Sequence, residues 1–272
     1  MKVAINAPIE GLGMVPHTGL WLCLDDLVRS SKDYAKFHAI RSAYGDIVIL
    51  DTPIHEKKGK VETSPTLLYQ AAMAVRATYI VIPDFDEDFS SSLSTLQEYG
   101  PILRSLSPTT KLMFVVHGHN IDEFNSNLKQ ALDKYGDFIN AIGIPFISSP
   151  YLDSNTGDGR LRALSVCAQV CPSLPVQLLG CHYNTREIQI ASGYSKIIGV
   201  DTSKPFSLAL HNVNWRQIEE TKAYEEVVKN NTSKSAFKDF YHIPKEELYQ
   251  KANLIAANCA HLINMANGGY NN

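Results

Sequence analysis

The 272-residue chain has no apolar run long enough to cross a bilayer. Its longest, such as Tyr79–Pro83 and Leu112–Val116, are the size of strands, whereas a membrane helix needs about 20 apolar residues. The N-terminal stretch Met1-Lys2-Val3-Ala4-Ile5-Asn6-Ala7-Pro8 is too short for a signal peptide, so a cytoplasmic location is expected. Cysteine is scarce and odd in number: five residues, Cys23, Cys167, Cys171, Cys181 and Cys259, which points to free thiols. Cys167 and Cys171 fall four apart on a predicted helix and read as buried core thiols. No pair has the tight spacing of a zinc knuckle. Charge of one sign is also lacking. The formal net charge is −3, which neither suggests nor excludes a nucleic-acid partner, because a local patch decides that. Lysines are thickest after Trp215, at Lys222, Lys229, Lys234, Lys238 and Lys245. They stand among acids, as on a solvated helical surface, with phosphate contact the lesser reading. Internal repeats and low-complexity runs are absent as well.

What is present is alternation. Apolar, β-branched runs at Val3–Ala7, Ile47–Leu50, Tyr79–Pro83, Leu112–His117, Ala141–Pro145, Val176–Leu179 and Ile197–Val200 read as strands. Helical patterns near Trp21–Ser42, Pro65–Arg76, Ser91–Ser105, Ile121–Tyr135, Gly159–Val170 and Thr185–Ser192 lie between them. Strand and helix in turn are the mark of parallel βαβ units, and strands apolar on both faces fit a sheet covered by helices. Ser64 before Pro65, and Asn184 before Thr185, are helix-start signals. The fold class expected is α/β, a (β/α)8 TIM-type barrel whose eighth strand is irregular or hidden, with a doubly wound open sheet as the alternative. Residues 1–212 would form the barrel. Residues 213–272, with helices near Trp215–Asn230 and Lys245–Met265, would be a helical extension packed on it.

In such folds the chemistry gathers at the carboxyl ends of the strands. Those ends carry Asp51, Asp84, His117-Gly118-His119-Asn120, Gly143-Ile144-Pro145, Gly180-Cys181-His182 and Asp201-Thr202-Ser203. A single aspartate after a strand often only caps the next helix. Six polar ends together are better explained by a site. Paired carboxylates across a barrel mouth permit glycosyl transfer, with one attacking an anomeric carbon and the other moving a proton. Alternatively, aspartate with His55, His117, His119 and His182 could hold a metal that activates water. However, neither a His-x-His after the first strand nor a His-Glu-x-x-His is present.

From roughly Leu20 to His211 these same segments resemble the tRNA-guanine transglycosylase superfamily, most closely its phage branch, the 7-deazaguanine DNA transglycosylases. The resemblance rests on Val48-Ile49-Leu50-Asp51 followed by Glu56 and Gly59, Val81-Ile82-Pro83-Asp84, and Phe114-Val115-Val116-His117-Gly118. It continues through Ile142-Gly143-Ile144-Pro145, Leu178-Leu179-Gly180 and Gly199-Val200-Asp201-Thr202-Ser203-Lys204-Pro205. It implies a barrel enzyme, a pentosyltransferase that exchanges guanine in a polynucleotide for a 7-deazaguanine (preQ0-like) base without a cofactor. By the same resemblance Asp201 is the nucleophile and Asp51 the general acid/base. Asp84, His117, Gly118, Gly143, Leu179, Gly180 and His55 surround the base. Arg160, Arg162 and Lys204 are candidates for nucleic-acid phosphates, as arginine and lysine near a helix start allow.

The chain departs from the family at Asp51-Thr52-Pro53, where a glycine is usual. It also has only Cys259 and His261 where the tRNA enzymes carry a zinc subdomain, so no structural zinc is expected. The expected partners are DNA and a free 7-deazaguanine base, in the host cytoplasm if the chain is phage-encoded, with a homodimer left open and no membrane partner. tRNA as the substrate, a catalytically silent nucleic-acid-binding subunit and a metal-dependent barrel hydrolase are the competing readings.

Overall fold

The computed structural model describes residues 1–53, 63–85, 88–146, 158–181, 186–217 and 240–269. Eight strands run parallel: β1 (Lys2–Ile5), β2 (Leu20–Leu24), β3 (Ile47–Asp51), β4 (Tyr79–Val81), β5 (Lys111–Val115), β6 (Ala141–Pro145), β7 (Val176–Leu179) and β8 (Ile197–Thr202). Their hydrogen-bonded order is β1-β8-β7-β6-β5-β4-β3-β2. Strands β1 and β2 meet side by side, and Lys2 Nζ donates to Gly19 O at 3.1 Å across that seam. The sheet is therefore a nearly closed barrel.

Helices α1 (Asp25–Ser30), α2 (Lys32–Ala43), α3 (Pro65–Val75), α4 (Phe89–Leu106), α5 (Ile121–Tyr135), α6 (Asp158–Val170), α7 (Arg186–Ala191) and α8 (Lys204–Leu210) alternate with the strands. Several start as their sequence dictates. Ser64 Oγ accepts from Leu67 N at 3.2 Å ahead of Pro65. Asn120 Oδ1 accepts from Glu123 N at 2.9 Å while Glu123 Oε2 accepts from His119 N at 2.8 Å, a reciprocal cap that satisfies amides the helix cannot.

The hidden eighth strand is β2. Trp21–Leu24 fall within the stretch Trp21–Ser42 whose pattern predicts helix. Instead LWLCL is a strand buried along its whole length, followed by two short helices. A continuous apolar run has no face, so periodicity cannot separate a buried strand from a buried helix.

The C-terminal segment contributes α9 (Lys245–Gln250) and α10 (Ala252–Ala266), where one helix from Lys245 to Met265 was expected. The expected helix from Trp215 to Asn230 lies mostly outside the described residues. Helix α10 packs on α8, α7 and β1. Buried Asn258 fastens it, accepting from Trp215 N at 2.8 Å and donating to Val213 O at 3.1 Å and Pro205 O at 3.2 Å. The Met1 ammonium donates to Ala266 O at 3.1 Å.

Candidate active site

Parallel strands bring their carboxyl ends to one rim of the barrel, and the candidate side chains collect there. Asp201 sits near the end of β8 and is 7 % exposed. Its Oδ1 accepts from Gly180 N at 3.1 Å, and its Oδ2 accepts from Asn6 Nδ2 at 3.1 Å. Gly180 can turn its amide this way because it adopts φ +68, a left-handed conformation that other residues resist. Asn6 follows β1, the strand paired with β8, and its own amide donates to Thr202 O at 2.8 Å. Burial raises the Asp201 carboxyl above its ordinary value. The Gly180 amide, Asn6, the charge of Arg160 and Gln177 oppose that rise without cancelling it.

Behind this carboxylate lies a fully buried ion pair. Arg160 Nε donates to Glu187 Oε1 at 2.6 Å and its Nη2 donates to Glu187 Oε2. Nη1 donates to Leu179 O at 2.9 Å and to Gly180 O at 3.1 Å, and Nη2 donates to Gly180 O at 3.1 Å. A guanidinium has five N–H groups, and all are used. This corrects the expectation that Arg160 clamps a phosphate: it has no donor left and is 1 % exposed. Arg162, two residues on, is exposed. Lys204 is also largely buried, with Nζ 4.6 Å from the Phe146 ring centroid. Burial lowers its ammonium to about 8, with Cys181, Glu187 and Asp201 pulling it up and Arg160 pushing it down.

Asp51 ends β3 and is half-buried, with Oδ1 accepting from Thr52 N at 2.7 Å. Thr52, next to Pro53 where the glycine was expected, is buried with an Oγ1 that makes no hydrogen bond to any described residue. Asp84, after β4, and His117, after β5, form a pair, with His117 Nε2 2.7 Å from Asp84 Oδ2. Asn127 Nδ2 holds the His117 carbonyl at 2.8 Å. A cleft of about 230 Å³ opens beside them, lined by His117, Gly118, His119, Asp88, Glu123 and Asn127 among others. Gly118 is required by a close approach, since a Cβ there would stand 2.6 Å from Phe124 N.

Other expected base contacts have different neighbours. Gly143 lies within β6 with its carbonyl accepting from Val116 N at 3.1 Å. A Cβ there would press on Val115 and Leu179 at 3.0 and 3.1 Å, so what Gly143 provides is room. Leu179 is half-buried at the end of β7. The amide of Gly180, expected near the base, is given to Asp201. His55 and His182 lie outside the described residues. Among the described residues no three His, Cys, Asp or Glu side chains converge as a metal site.

Two residues escaped the sequence reading. Asn6 was hidden inside the expected first strand, Val3–Ala7, which ends instead at Ile5, one residue before it. Asp25 was hidden with β2. It immediately follows that strand, next to Leu24, which pairs with Asp51, and it is fully buried. Its Oδ2 accepts from Arg29 Nη2 at 3.0 Å, while Oδ1 makes no hydrogen bond to any described residue. Burial raises its carboxyl, against the lowering effect of Arg29.

No family model and no curated protein matches the chain. Solved structures share its fold. A fructose-bisphosphate aldolase from Campylobacter jejuni superposes with a TM-score of 0.53 at 12% identity, over 98% of this chain and 90% of that one. A GH18 chitinase from Pseudoalteromonas aurantia does so with a TM-score of 0.51 at 12% identity, over 84% of this chain and 100% of that one. At such identity the likeness establishes the TIM-type barrel and carries nothing about the reaction.

Proposed function

We propose that this chain is a base-exchange transglycosylase that replaces guanine in DNA with a 7-deazaguanine through a covalent aspartyl-sugar intermediate. The observation that carries the reading is the Asp201 carboxylate, buried at the rim and gripped through both oxygens by Gly180 N and Asn6 Nδ2. Fixing a carboxylate in this way sets the direction of its remaining lone pairs, as an in-line attack on an anomeric carbon demands. The hydrogen bonds also oppose the rise that burial imposes, and so favour the ionised form that attacks.

In the reaction an Asp201 oxygen bonds to C1′ of the sugar as the C1′–N9 bond breaks. Asp51, in its acid form, gives its proton to the departing guanine. The 7-deazaguanine then enters, loses its N9 proton to Asp51 and attacks C1′, which releases Asp201 as the carboxylate and restores Asp51. A nucleotide must leave the base stack to reach such a rim. The Asp84–His117 pair beside its cleft suits the Watson–Crick edge of guanine, with the free Asp84 oxygen accepting from a ring N–H or the exocyclic amine.

Incubation with labelled guanine and either duplex DNA or tRNA tests the proposal. Label is expected in DNA, with none after Asp201→Asn. Incorporation into tRNA alone would reassign the substrate. Incorporation into neither, with a range of 7-deazaguanines also tried, would remove the transglycosylase reading.

A further inference from the structure

We infer that Asn6 is a positioning residue for Asp201, holding the carboxylate in its attacking plane without being needed to hold the barrel together. This rests on the reading of Asp201 as the nucleophile. Three observations carry it. The side-chain amide of Asn6 makes its one described hydrogen bond to Asp201, Nδ2 to Oδ2 at 3.1 Å. Its other end is uncommitted: Oδ1 is buried and takes no hydrogen bond from any described residue. A side chain that braced the fold would use both ends, as Asn258 does. Meanwhile the link between β1 and β8 at this point is made by the backbone, Asn6 N to Thr202 O at 2.8 Å, and it survives any change of side chain.

The division of labour is clear. Gly180 N fixes Oδ1 from the β7 side of Asp201, and Asn6 Nδ2 fixes Oδ2 from the β1 side. With one grip removed, the carboxylate can turn about its Cβ–Cγ bond and the reacting oxygen leaves the line of attack. The ionisable groups around it are Arg160 from α6, Glu187 paired to that arginine from α7, Lys204 from α8 and the Cys181 thiol beyond β7. None of these replaces the donor that Asn6 supplies on the β1 side.

The test uses the full chain carrying Asn6→Ala, with Asn6→Leu as a variant of nearly unchanged volume. Loss of a hydrogen bond to a charged group is expected to lower kcat for exchange by roughly 10- to 100-fold. KM for the nucleic acid should stay within about twofold. The acid limb of the kcat profile should move to higher pH by about one unit, because the lost donor had favoured the carboxylate. A second readout needs no activity: ¹³C NMR titration of the Asp201 carboxyl, assigned with Asp201→Asn, should show its midpoint raised in both Asn6 variants. An unchanged midpoint, or kcat retained in the folded variants, overturns the positioning role. If the wild-type protein exchanges no base at all, the functional reading fails, while the NMR midpoint still decides whether Asn6 governs Asp201.

Discussion

Replacing Arg160 with Met separates the two roles this arginine has been given. As an external phosphate clamp, Arg160 could be lost with little effect on stability. DNA affinity would fall and the dependence of log K on log salt would shallow by about one unit. Its five donors point inward instead: two to Glu187 and three to the carbonyls of Leu179 and Gly180. Both side chains of the pair are 0% exposed. Arg160→Met therefore leaves a carboxylate buried without its partner, a change that destabilises by about 3–5 kcal/mol. With a urea m-value of about 3 kcal/mol/M for a chain of this size, the midpoint should fall by roughly 1–1.7 M. Glu187→Met alone should do similar damage, since it strands the guanidinium. The double variant Arg160→Met/Glu187→Met removes both charges and should recover much of the loss, because buried pairs exchanged for apolar side chains are often near neutral. Urea unfolding of the three variants, followed by circular dichroism, gives the cycle directly. A single-variant loss below about 1 kcal/mol, or a double variant no better than the sum of the singles, would refute the inward assignment. Arg162, exposed on the same helix, is the control: Arg162→Ala should leave the midpoint unmoved.

Two further outcomes follow from the same rim. Gly180→Ala forces a left-handed residue and sets a Cβ 2.8 Å from Phe146 Cβ; it should lower stability by about 1–3 kcal/mol and raise the Asp201 titration midpoint as its amide donor shifts, which urea unfolding and NMR titration would report. Asp201→Asn should abolish exchange yet leave the protein at least as stable as wild type at neutral pH, and a lower urea midpoint at pH 7 would contradict this.

The sequence made the barrel legible through its alternation and through a cap such as Ser64-Pro65, whose chemistry is local. It hid β2 for an equally physical reason: Leu20–Leu24 is buried on both sides and shows no periodicity. Losing β2 meant losing Asp25, because a strand end is recognised only once its strand is. Asp51, Asp84 and Asp201 were legible because each follows a strand that was found. The grip on Asp201 was not. Asn6 stands 195 residues away, and only the pairing of β1 with β8 makes them neighbours. Arg160 was misread because residue type and loop position say nothing about which way a side chain turns. Its partner Glu187 stands in the first turn of the next helix, 27 residues away in the chain.

The environment of Asp201 sets two demands against each other, and the pH dependence of stability should show which one prevails. Burial raises the carboxyl above its ordinary value of 3.8, and four neighbouring groups lower it only in part. Between 3.8 and the raised folded value, the native state binds more protons than the unfolded chain. Stability contributed by this group is therefore present below that window and declines as pH rises through it. The proposed role as nucleophile requires an ionised Asp201, and so places exchange on the side of the window where Asp201 destabilises the chain. Asparagine at this position removes the charge and need not leave a donor facing a donor. The Asn6 amide can flip, turning its uncommitted Oδ1 toward the new amide. The difference in stability between wild type and Asp201→Asn should thus grow from acid toward neutral pH in favour of the variant. A constant difference across that range would mean that Asp201 titrates alike in the folded and unfolded chain, and that its burial carries no electrostatic penalty.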